Sequence, residues 1–113
     1  MHELSIVLSI IDIAEEAARQ AGAHNVERIE LEIGQLAGVQ VDALEFAWDA
    51  AVKNTILQKA ERLIHHVNGK ARCTTCGTEF LMQQLYDACP KCNAYFSEIL
   101  QGQELRVKAI TIN

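Results

Sequence analysis

The chain alternates apolar runs with short polar breaks, and the spacing within each run predicts its conformation. Ser5, Ser9, Asp12, Glu16 and Arg19 recur at spacings of four, three, four and three, which lays one polar stripe along a first helix. Leu4, Val7, Leu8, Ile11, Ala14 and Ala18 are expected on its buried side, and Gly22 is expected to stop it. Over residues 26–33 the period becomes two. Ile29, Leu31 and Ile33 share one face and Arg28, Glu30 and Glu32 the other, the pattern of a half-buried strand. Gly34 and Gly38 mark the loop that follows. Asp42 and Glu45 have the spacing of a capping box and open a second helix to about Lys53, with Phe46 and Trp48 expected in the core. Residues 61–67 read as a second strand and 104–112 as a third, in which Leu105 and Val107 share a face. A strand, a helix and a strand in that order suggest a crossover between parallel neighbours. The expected fold class is α+β: a small mixed three-stranded sheet with two helices packed on it.

The four cysteines interrupt this pattern. They form two Cys-x-x-Cys pairs, Cys73-Thr-Thr-Cys76 and Cys89-Pro-Lys-Cys92, with twelve residues between the inner members. Two thiolates on one tight turn span two corners of a tetrahedron, and two such turns close a four-sulfur cage around Zn2+. Gly77 and Pro90 suit the tight backbone such turns need. An iron-sulfur cluster would use the same ligands. Disulfides would need an oxidising compartment, and a redox pair would need only one motif. With sulfur in every position a zinc site keeps no place for water or substrate, so it would hold structure and not catalyse. Residues 70–93 are therefore expected as an inserted zinc-ribbon-like domain within a body formed by 1–69 and 94–113.

Composition narrows the function. Half of the 113 residues are hydrophobic, enough for one modest core, and the formal net charge is -5. Four thiolates around one divalent cation would make the chain more negative still. Near the cysteines, Lys70, Arg72 and Lys91 face Glu79 and Asp87, which is no phosphate-binding surface, so nucleic acid is not an expected partner. The apolar run 4–14 has no preceding Lys or Arg, is interrupted by Asp12 and followed by Glu15 and Glu16, and is too short to span a bilayer. No membrane association is expected, and the cytoplasm is the expected location. A phosphate-binding Gly loop, a nucleophile elbow and an obvious carboxylate pair are all missing, so an enzyme is not expected.

The other chemistry sits at Met1-His2-Glu3. A bulky second residue is expected to keep Met1, whose amine, the amide nitrogen of His2 and its imidazole can form fused chelate rings. The amide of Glu3 lies in reach to complete a plane. Planar nitrogen donors suit Ni(II) or Cu(II), whereas zinc prefers a tetrahedron. Taken alone, any chain with His at this position offers the same atoms, and an exposed helix start is the plain alternative.

Motifs along the chain go further. Met1-His2-Glu3-Leu4-Ser5, Gly34-Gln35-Leu36-Ala37-Gly38-Val39, the two cysteine pairs, and Gly102-Gln103-Glu104-Leu105-Arg106-Val107 together resemble the HypA/HybF family of hydrogenase nickel-incorporation proteins over about residues 1 to 112. The resemblance implies a nickel metallochaperone. It places transported Ni2+ on Met1, His2 and Glu3, and structural Zn2+ on Cys73, Cys76, Cys89 and Cys92. It also implies a HypB-type GTPase as partner, delivery to the nickel-iron hydrogenase large subunit, and in some members service to urease maturation. The alternative is a zinc-ribbon protein- or nucleic-acid-interaction module without nickel function. His65 and His66 are adjacent on a predicted strand and face opposite ways, so they are not expected to chelate one ion; His24 is expected in a turn. Glu27, Glu30 and Glu32 read as a solvated strand face.

Overall fold

The computed structural model describes residues 2–112. The order of elements is α1 (Glu3–Ala21), β1 (Val26–Gly34), α2 (Val41–Ala51), β2 (Glu61–Val67), β3 (Lys70–Cys73), β4 (Glu79–Leu81), β5 (Ser97–Gln101) and β6 (Leu105–Ile112). The strands form two three-stranded sheets, ordered β2-β1-β6 and β4-β3-β5. The chain divides into two compact units. The first comprises Met1–Leu31, Val39–Ile64 and Val107–Asn113, and the second Glu32–Gly38 and His65–Arg106.

In the first unit α1 and α2 pack on each other. Helix α1 buries Val7, Ile10, Ile11, Ala14 and Ala18, while Leu4 and Leu8 are about half exposed. This corrects the expected buried face, which is turned so that Ile10 replaces Leu4 and Leu8. Residues 4–14 are apolar at so many positions that hydrophobicity alone does not fix the rotation of the helix; which side its neighbours cover decides it. Gly22 closes α1 in the left-handed region at φ 67°, with the Ala23 N–H reaching back to the Ala18 carbonyl at 2.9 Å.

Helix α2 departs from the sequence reading at its start. Its N-cap is Gln40, with no side-chain cap hydrogen bond, so the capping box between Asp42 and Glu45 does not form. Asp42 lies inside the first turn, where a negative charge still complements the helix dipole. The two aromatics also part: Trp48 is 3% exposed and Phe46 is 80% exposed. They are two residues apart, so a helix that buries one must turn the other outward. Arg62 lies over the Trp48 ring at 5.4 Å and its guanidinium faces Glu45 and Asp49.

The sheet β2-β1-β6 is mixed. The Gly34 and Leu36 N–H groups donate to the carbonyls of Glu104 and Gly102, both at 2.7 Å, so residue numbers run oppositely in β1 and β6. Toward β2 they rise together: Arg28 pairs with Glu61, and the Gln35 N–H donates to Val67. Ile29, Leu31 and Ile33 are buried, as the alternation predicts. In β6, Leu105 and Val107 are half-buried before the alternation is lost at Ala109 and Ile110.

The second unit contains the three short strands that periodicity did not reveal. In it β3 lies between β4 and β5, antiparallel to both. Its core is Leu36, Ala71, Cys73, Phe80, Met82 and Cys89, so two of the six buried residues are cysteines. Gly34 and Gly102 serve this packing. A Cβ on Gly34 would stand 2.0 Å from the Gly102 carbonyl oxygen, and Gly102 holds φ 113° against Gly69. The glycines of two sequence motifs are thus required by one close backbone approach.

Candidate metal centre

The metal centre is built from two copies of one turn. Cys73 ends β3, and the chain then crosses residues 74–78 to enter β4. The Cys73 N–H donates to the Thr78 carbonyl at 2.9 Å, and the Gly77 N–H donates back to the Cys73 carbonyl at 2.9 Å. The second turn repeats both bonds: Cys89 N–H to the Ala94 carbonyl at 2.9 Å, and Asn93 N–H to the Cys89 carbonyl at 2.8 Å. Each copy needs a left-handed residue after its second cysteine. Gly77 supplies it at φ 78° and Asn93 at φ 63°. Asn is the residue after Gly that best tolerates this region, so Asn93 is a turn signal that the sequence reading passed over.

These turns bring all four sulfurs together, every pair within 4.8 Å. Cys73 and Cys92 Sγ atoms are 3.5 Å apart, and those of Cys76 and Cys89 are 3.6 Å apart. A tetrahedron with metal–sulfur bonds of ~2.3 Å has edges of ~3.8 Å, so the donor set fits a four-coordinate cation. The four cysteines are free thiols. Cys73 and Cys89 are buried, and Cys76 and Cys92 are exposed.

The electrostatics agree with a cation site. The Cys76 N–H directed at Cys73 Sγ, at 3.5 Å, holds that thiol below its ordinary value. The Thr78 hydroxyl, 3.1 Å from Cys76 Sγ, together with the Thr78 backbone, pulls Cys76 down to about 6. At Cys92 the Ala94 N–H acts in the same direction. The neighbouring sulfur of Cys73, burial, and the sulfurs of Cys76 and Cys89 outweigh it and push Cys92 up to about 12. Four thiolates cannot share this space without a compensating charge, and a divalent cation provides one.

The remaining candidates are placed as follows. His2 is exposed and extended, at φ -84° and ψ 101°, as the N-cap of α1, and its carbonyl accepts the Ile6 N–H at 3.2 Å. The Glu3 carboxylate accepts the Gln40 N–H at 3.2 Å, the main cause that holds this carboxyl below its ordinary value. That link joins the first turn of α1 to the N-cap of α2 and was not visible in the sequence. Met1 lies outside the described residues. His24 and His66 are exposed and His65 is half-buried; among the described residues none of them joins a group of three or more metal-ligand side chains. In the closing motif, the Glu104 carboxylate accepts the Gly102 N–H at 2.8 Å and Arg106 donates to Glu32 at 2.6 Å, so these polar residues fasten the second unit.

Among the described residues no helix is long and apolar enough to cross a membrane.

Comparison with known proteins gives the same picture along the whole length. The family model for hydrogenase/urease nickel incorporation metallochaperones of the HypA type matches residues 1–112. The hydrogenase maturation factor HypA of Parabacteroides distasonis is 49% identical over 112 residues, covering 99% of this chain and 97% of its own. That of Geobacter metallireducens is 42% identical, covering 99% of both. A solution structure of the nickel metallochaperone HypA from Helicobacter pylori superposes with a TM-score of 0.68 at 27% identity, covering 99% of this chain and 97% of the other. The chain belongs to the HypA family of hydrogenase nickel-incorporation metallochaperones.

Proposed function

We propose that this chain carries Ni(II) on its Met1-His2-Glu3 segment and hands it to a maturation partner, while Zn2+ on Cys73, Cys76, Cys89 and Cys92 holds the second unit together. The donors to nickel are the Met1 amine, the amide nitrogen and imidazole of His2, and the amide nitrogen of Glu3. The observation that carries this reading is the placement of His2. It is exposed and extended at the mouth of α1, with its carbonyl tied to Ile6. The N–H groups of a helix's first turn have no acceptor further along the helix, so the amide of Glu3 stands outside the helix ladder and interacts with its own carboxylate. The Glu3 carboxylate is engaged by Gln40, which ties the start of α1 to the N-cap of α2 and leaves the amide as the contribution of Glu3.

Amine and imidazole must both lose a proton to hold a metal, so nickel is released as pH falls. A site made from one chain end and one side chain presents open coordination positions to a recipient. The reading is of a carrier, not an enzyme. Its partners are a HypB-type GTPase and the nickel-iron hydrogenase large subunit, with urease maturation as a second destination, in the cytoplasm. The functional division assigns the zinc-binding insertion to residues 70–93 and the nickel-binding body to 1–69 with 94–113, and it differs from the two compact units in giving β5 to the body. Placing one extra residue before Met1 tests the site: nickel affinity and its planar d–d spectrum are expected to be lost while zinc stays. Unchanged affinity and spectrum would overturn the nickel assignment.

A further inference from the structure

The two cysteine turns share one hydrogen-bond plan and differ where it meets the exposed sulfurs. Position 78 of the first turn corresponds to position 94 of the second, since each supplies the carbonyl that receives the first cysteine's N–H. The first carries Thr78, whose hydroxyl lies 3.1 Å from Cys76 Sγ. The second carries Ala94, which has no hydroxyl to give Cys92.

The scaffolds differ in the same sense. The first turn is the β3–β4 hairpin loop. Arg72 and Glu79 are paired across its base, Cys73 is paired with Ser97 of β5, and Thr74 donates to the Phe96 carbonyl through both its N–H (3.0 Å) and its hydroxyl (2.8 Å). The second turn lies in the connection between Leu81 and Ser97, outside any strand. Cys73 and Cys89 are buried, so an incoming ligand or electrophile meets Cys76 or Cys92 first.

We infer that metal exchange at this centre opens at Cys92, with Thr78 acting as a positioning residue that keeps Cys76 on the metal. The inference rests on the four cysteines forming one metal site. As a thiol Cys76 donates to the Thr78 hydroxyl; as a metal-bound thiolate it can only accept, and a hydroxyl that then donates to it draws on the lone pair an electrophile would attack and restrains the sulfur's rotamer. Cys76 is held by that bond and by a ladder on each flank, whereas Cys92 can leave by movement of a loop. The centre therefore has a fixed half, Cys73 and Cys76, and an opening half that begins at Cys92.

The test uses the full chain loaded with zinc and treated with substoichiometric iodoacetamide. Cysteine labelling is then mapped by tandem mass spectrometry, and zinc release is followed with a chromogenic chelator. In the labelled step the thiolate sulfur forms a bond to carbon, iodide leaves, and the zinc–sulfur bond opens. Cleavage after Lys91 places Cys92 on a peptide apart from the other three cysteines. Cys92 is expected to label about tenfold faster than Cys76. Thr78→Val should bring the two rates close together, Thr78→Ser should keep the wild-type order, and Ala94→Thr should slow Cys92. Equal or faster labelling of Cys76 in the wild type, or an order unmoved by Thr78→Val, overturns the inference while zinc remains bound at one per chain. Failure to bind zinc, with all four cysteines labelled alike, overturns the metal site and the inference with it.

Discussion

The two units hold their folds by different means. In the first, stability comes from apolar side chains on regular elements: Val7, Ile10, Ile11, Ala14 and Ala18 of α1, Leu44 and Trp48 of α2, and Ile29 and Leu31 of β1 are all buried. In the second, the strands are three to five residues long and cysteines make up a third of the buried cluster. Strands this short have few ladder bonds, and a cluster this small cannot offset the ordering entropy of its loops. On the proposed reading, a cation held by the four cysteines supplies the difference. A unit built on burial tolerates loss of one contact, and a unit built on coordination fails when one ligand goes.

Loss of a buried cysteine should therefore have the largest effect. Cys73→Ser or Cys89→Ser is expected to abolish zinc binding, which is worth about 10–16 kcal/mol in structural sites of this kind. Amide protection in β3, β4 and β5 should vanish while that of α1 and α2 persists. Hydrogen exchange with metal analysis checks both points, and loss of protection across both units would break the contrast. Next comes Leu31→Ala, which removes a side chain 1% exposed and should cost about 2–5 kcal/mol in urea denaturation. Zinc stoichiometry should be unaffected.

Arg62→Ala removes the guanidinium over Trp48 and should cost about 1 kcal/mol, read from the denaturation midpoint and the tryptophan emission shift. The smallest effect belongs to Glu79. Hydrogen bonds from Arg72 and Lys70, and their charges, hold its carboxyl below the usual carboxylate range. Because the folded value is the lower one, its contribution is present above the unfolded value and lost as pH falls through the folded one. Glu79→Gln should thus lower the melting temperature slightly at pH 7, and the difference should shrink and then vanish as pH falls through the lowered folded value.

The contrast also explains what could be read from the chain. Alternation at Ile29, Leu31 and Ile33 placed β1 with its correct buried face, because a half-buried strand writes its burial directly into its sequence. The span of β2 was equally plain. Helix α1 was placed correctly but turned wrongly, since Leu4 and Leu8 are as apolar as the Ile10 that is buried. The spacing of the cysteines predicted that their sulfurs would meet, and all four lie within 4.8 Å of one another. Yet β3, β4 and β5 stayed hidden, because strands of three to five residues such as Glu79–Leu81 carry no usable period. Asn93 was legible in principle, as the counterpart of Gly77. The Glu3–Gln40 bond, 37 residues apart in the chain, was not.

The central claim is that the chain carries two metals by two separate donor sets, nickel at the N-terminal segment and zinc at the cysteines. The most direct test is metal analysis and nickel titration of untagged wild type and His2→Ala. The account predicts one zinc in both and nickel binding in the wild type alone. Nickel bound equally by His2→Ala, or zinc lost along with it, would contradict the claim.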